Sequence, residues 1–149
     1  MTSKVSVGGH PIHPMLVAFP IGLWTTSFAV DILFYIVRQS TLLIVSKFLI
    51  AAGCIGAIAA AIPGIIDWWT LKDPNVVRVA NWHARLNIAA LVVFAISLYL
   101  RMQSHGHLVG HRLMIPFGIS LVGVILIGIS GWLGGELVYK HGVGVGSRE

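Results

Sequence analysis

Four stretches of this sequence, at about residues 14–37, 42–69, 82–100 and 113–133, are each long and apolar enough to cross a bilayer. Crossing the hydrocarbon core takes about 20 helical residues. Lipid offers no partner to a stray backbone N–H or C=O, so each span must be a helix that satisfies its own backbone. Composition agrees: 56% of the 149 residues are hydrophobic and 10% are charged, with a mean hydropathy of +0.88, against about 25% charged residues in an ordinary soluble domain. The expected fold is therefore all-α, an integral membrane bundle of four transmembrane helices forming a single domain over residues 1–149, with the lipid bilayer as its main solvent. The segment before the first span carries only Lys4 and leads directly into apolar sequence. It lacks the short apolar region and small-residue site of a cleavable signal, so the first span is expected to be retained.

Between the spans the sequence predicts a tight turn at residues 38–41, a polar loop at 72–81 and a His/Gly loop at 101–112. Asp73-Pro74-Asn75 reads as a turn, because proline pre-sets φ and Asx side chains bond local backbone. The net charge of +5 comes from ten basic residues scattered singly, without the basic runs that track phosphates, so nucleic acid is not an expected partner. Cys54 is a lone cysteine in an apolar stretch and reads as a small core hydrophobe. Pro20, Pro63 and Pro116 are expected to kink their spans. Gly53, Gly56 and Gly64 in the second span and Gly118, Gly123, Gly128, Gly131, Gly134 and Gly135 in the fourth predict close helix approach or room for a flat ligand. A homo-oligomer is a further expectation.

An even number of spans places both termini on one side, together with the loop between the second and third. On that terminal face the sequence gathers His10, His13, Asp67, His83, Glu136 and His141, with Trp68, Trp69, Trp82, Trp132 and Tyr139 around them. The aromatics read first as interfacial anchors. Ionisable groups arriving at one depth from four helices are costly unless paired or used, which makes the cluster a candidate site. In His10-Pro11-Ile12-His13-Pro14 each proline disfavours the α region for the preceding histidine, so the sequence predicts both imidazoles on an extended arm. The opposite face carries His105, His107 and His111, which read as a solvated loop or an opportunistic metal site. Asp31 and Lys47 lie about two turns inside that face and are expected to pair. Six basic residues on the terminal side against four on the other lean toward cytoplasmic termini.

The His-Pro-Ile-His-Pro arm, Asp67 closing the second span, Trp82-His83-Ala84-Arg85-Leu86-Asn87 opening the third, and Gly131-Trp132-Leu133-Gly134-Gly135-Glu136 through His141 closing the fourth together resemble the bacterial membrane-protein family known as domain of unknown function 2231. The resemblance covers nearly the whole chain. It implies a four-helix domain in a bacterial membrane, expected to be the inner one, which in some proteins is joined to Rieske iron–sulfur or cytochrome-type modules; no reaction comes with it. No second redox module is expected within these 149 residues.

Three functions fit the cluster. The first is a membrane haem-b protein relaying electrons, with His13 and His83 as axial ligands, His10 and His141 as a second pair or as supporting groups, and Arg85 facing the propionates; a redox protein or a quinone would be the partner. The second is a zinc, iron or copper site built from His10, His13, His83 and His141 with Asp67 and Glu136. The third is an accessory subunit of a membrane redox complex, in which the cluster only satisfies buried groups.

Overall fold

The computed structural model describes residues 3–103 and 111–145. A small antiparallel hairpin, β1 (Ser6–Val7) and β2 (His10–Pro11), leads into α1 (Ile12–Val37), α2 (Thr41–Trp68), α3 (Pro74–Gln103) and α4 (His111–Gly135), after which one π-helical turn covers Glu136–Lys140. All four long helices have the length and hydropathy of membrane spans. Their outer faces expose large apolar side chains such as Phe19, Phe48, Ile55, Ile62, Ile88 and Ile115, as a bundle solvated by lipid requires.

Local chemistry sets the boundaries. Helix α1 stops where Arg38 turns left-handed at φ 60° and its N–H bonds the Phe34 carbonyl at 2.8 Å. Helix α3 starts two turns before the expected Trp82. The Asp73 carboxylate accepts the Asn75 N–H at 2.8 Å, and Pro74, lacking an N–H, takes the first helical position. Asp-Pro here is an N-cap followed by N1, not a turn between elements. The polar segment 74–81 is therefore helix, and the expected loop shrinks to the few residues after Trp68. Pro20, Pro63 and Pro116 lie within α1, α2 and α4, which continue through them.

The bundle is two helical hairpins, α1–α2 and α3–α4, each packed more extensively within itself than against the other. The hairpins repeat one another with an offset of 70 residues. His13 and His83, Trp24 and Phe94, Ser27 and Ser97, Gly53 and Gly123, and Gly64 and Gly134 occupy equivalent places. In each hairpin the glycine lies under the matching ring. A Cβ at Gly53 would stand 2.5 Å from the Trp24 indole, and one at Gly123 would stand 2.6 Å from the Phe94 ring. Three residues meet their own counterparts: the His13 and His83 rings meet at right angles, Trp24 stacks on Phe94 at 4.4 Å, and Asp31 pairs with Arg101. Only residues on a twofold axis can do this. An approximate twofold therefore runs along the bundle, with parallel repeats related by an axis along the membrane normal.

Trp24, Ile50, Ala90, Phe94 and Ile127 form the central core around that axis. Nearer the far end, the Arg101 guanidinium grips Asp31 with both terminal nitrogens, the Nη1–Oδ1 bond being 2.8 Å, and reaches the hydroxyls of Ser46, Ser97 and Ser120. This overturns the expected Asp31–Lys47 pair. Helix α3 runs on through Gln103, which turns Arg101 from a loop-flanking cation into a buried one.

Candidate functional site

His13 and His83 stand on the pseudo-twofold axis at the terminal end, with ring centroids 6.3 Å apart and planes at 88°. Each ring lies against a glycine of its hairpin partner: a Cβ at Gly64 would fall 2.7 Å from His13 Nδ1, and one at Gly134 would fall 3.1 Å from His83 Cε1. Of the glycines from which the sequence predicts close helix approach or room for a flat ligand, Gly64 and Gly134 make room for the imidazoles themselves. Gly128 and Gly131, expected to pack, have nothing within 4 Å of an added Cβ and belong to the outer surface of the bundle.

Hydrogen bonds fix both tautomers. His13 Nδ1 lies 2.7 Å from the Ala60 carbonyl and His83 Nδ1 lies 2.9 Å from the Ser130 carbonyl, each partner 47 residues along the chain. A carbonyl can only accept, so Nδ1 carries a proton in both rings, and in a neutral imidazole so held the lone pair is on Nε2. In metal-binding histidines the N–H remote from the metal is commonly held in this way, which sets ring rotation and raises basicity.

Around Nε2 the two rings differ. Asn87 Nδ2 sits 3.1 Å from His83 Nε2, 2.9 Å from the His83 carbonyl and 2.7 Å from Ser130 Oγ, and Ser130 Oγ itself contacts His83 Nδ1 at 3.1 Å. The equivalent places beside His13 hold Val17 and Ala60. Among the described residues no hydrogen bond ends on His13 Nε2.

The remaining expected site residues are dispersed. His10 is exposed in β2, its Nδ1 3.0 Å from the Gly8 carbonyl, and no described contact joins it to His141 or to the axial pair. Asp67 accepts Ser3 Oγ at 2.8 Å and the Lys4 N–H at 2.9 Å, fastening the N-terminal segment to the end of α2. Glu136 pairs with Lys140 at 2.8 Å within the closing π turn and has Nε2 of His141, the residue that follows it, at 3.8 Å. Arg85 is exposed and lies over Trp82, 5.4 Å from its ring centre. Two residues beyond His83 on a helix, it points about 200° away from the axial pair. Among the described residues no three His, Cys, Asp or Glu side chains gather into a metal-holding group. His105 and His107 lie outside the described residues, as does the side chain of His111.

Trp69, Trp82, Trp132 and Tyr139 are exposed around this end, Tyr139 at 92%, and Trp68 Nε1 donates to Asn81 Oδ1 at 2.8 Å. That is the arrangement of an interfacial aromatic belt. Sequence reading missed Asn87, Ser130 and Arg101. Aligning the chain with itself at the 70-residue offset would have marked all three, since each faces a chemically different residue in the other hairpin: Val17, Ala60 and Asp31.

The family model described as predicted membrane protein (DUF2231) matches residues 9–147, and the chain belongs to that family. Comparison with curated proteins and with solved structures finds no match.

Proposed function

We propose that this membrane protein binds haem b between His13 and His83 and relays electrons. The observation that carries the reading is the axial pair itself: two imidazoles on different hairpins, Nδ1 tied back to carbonyls, ring centroids 6.3 Å apart. Two imidazoles sharing one metal through nitrogen bonds of about 2 Å each have ring centres roughly 6 Å apart. Bundle cores between facing helices are where such ligands are mounted. The seam between the two hairpins, a less extensive contact than that within either hairpin, is where a macrocycle would be held from both sides. When bound, a bis-histidine haem supplies a one-electron couple tuned by its ligands and its burial.

The chain's own contribution is orientation and shielding. The Ala60 and Ser130 carbonyls hold the imidazoles in the ligating tautomer, and Gly64 and Gly134 let the rings lie flat on α2 and α4. Three turns deeper the Trp24–Phe94 stack closes the axis against water. Electron donor and acceptor, whether a redox protein or a quinone, would meet the exposed aromatic rim. A second reading, a single zinc, iron or copper ion on the same two nitrogens, draws on the same spacing. It would need water or a further ligand in place of Asp67 and Glu136, which are engaged elsewhere. The absorption spectrum of the purified full-length protein, before and after dithionite and with its metal content measured, separates the two.

A further inference from the structure

The twofold that relates the hairpins is broken where a ligand would be held. Every group that shapes the rings from behind is matched: His13 with His83, Gly64 with Gly134, and the carbonyl of Ala60 with that of Ser130. The polar side chains are not. Asn87 and Ser130 attend His83, where Val17 and Ala60 attend His13. Asn87 Nδ2 reaches the very atom, His83 Nε2, that would ligate iron, at 3.1 Å, and it has alternative acceptors in Ser130 Oγ and the His83 carbonyl at 2.7 and 2.9 Å. Building on the haem reading, we propose that the two histidines are unequal ligands: His13 is the permanent one, and His83 is exchangeable, because Asn87 offers its Nε2 a hydrogen bond whenever it leaves the metal.

The asymmetry acts through competition. Release of a ring nitrogen from a metal is favoured where the chain offers it a hydrogen bond in exchange. Among the described residues none reaches His13 Nε2, so nothing in the chain rewards its release. His83 Nε2 is met by the amide already in place on the same helix, one turn away. Once His83 is back on the metal, Asn87 keeps two acceptors, so its own N–H groups are satisfied in either state. A site of this kind admits a small neutral diatomic ligand at the His83 position. Asn87 is then a positioning residue that sets how readily the exchange occurs.

The test uses full-length protein reconstituted with haem in detergent, reduced with dithionite and titrated with carbon monoxide. Wild type should show a six-coordinate low-spin spectrum and bind carbon monoxide. His83→Ala should keep haem on His13 with a five-coordinate spectrum, while His13→Ala should bind haem roughly fivefold more weakly than His83→Ala, the worth of one ordinary hydrogen bond. Asn87→Val, which copies the other hairpin, should keep the six-coordinate spectrum and weaken carbon monoxide binding roughly fivefold. Ser130→Ala, milder for folding, takes away an acceptor that Asn87 keeps while His83 is on the metal and should strengthen carbon monoxide binding. Equal haem affinity in the two histidine variants, carbon monoxide affinity unchanged or raised in Asn87→Val, or unchanged or lowered in Ser130→Ala, overturns the inequality and leaves the haem site standing. A wild-type protein that takes up no haem overturns both.

Discussion

Asp31 and Arg101 hold the same place in the two hairpins, 70 residues apart, and meet each other across the pseudo-twofold axis in a two-pronged ion pair that is 3% and 2% exposed. One hairpin supplies the anion and the other the cation, so the pair can form only when the hairpins dock in register. Removing one partner strands the other charge inside the bundle. Asp31→Ala or Arg101→Ala should therefore cost about 3–5 kcal/mol, measured by unfolding in detergent. Asp31→Leu with Arg101→Met should be closer to wild type than either single change, because Ser97 and Ser120 already bond each other at 2.9 Å and Ser46 reaches the Ser27 carbonyl at 3.3 Å. A double variant as unstable as the sum of the singles would contradict this.

The glycines divide into two kinds, and substitution should separate them. Gly64→Ala and Gly53→Ala drive a methyl into the His13 and Trp24 rings, at 2.7 and 2.5 Å before any relaxation. Each should destabilise by about 1–3 kcal/mol as an overpacked site. Gly131→Leu has open space around it and should leave thermal stability and ligand content at wild-type values. A Gly131→Leu protein that fails to assemble would show that this face is buried against another helix.

Asp67 is engaged by Ser3 and the Lys4 backbone, not by the imidazoles. Asp67→Ala should loosen the N-terminal segment, seen as faster amide exchange and proteolysis over residues 3–11, while the visible spectrum of the loaded protein stays the same. A change in bound metal or in the spectrum would return Asp67 to the ligand set.

The spans were legible because hydropathy reports directly on the solvent a helix must face. The start of α3 was misread because Asp73-Pro74 serves turns and helix starts alike, and only the Asn75 N–H bonded to Asp73 tells them apart. His13 and His83 were legible as a pair because an even number of spans brings them to one face. Asp67, Glu136, His10 and His141 share that face but not that point, since each finds a nearer partner: Ser3, Lys140, the Gly8 carbonyl and Glu136. The repeat stayed hidden because its surviving identities, such as His13 with His83 and Gly53 with Gly123, are few among interchangeable apolar residues. Arg101 was placed in a loop by a span boundary drawn three residues short of where α3 ends.

The most direct test of the haem assignment is the reduced absorption spectrum of the purified protein, wild type against His13→Ala and His83→Ala. A low-spin bis-histidine spectrum in wild type that is lost in both variants, and kept in His10→Ala and His141→Ala, is the predicted result. The same spectrum surviving in both His13→Ala and His83→Ala would contradict it.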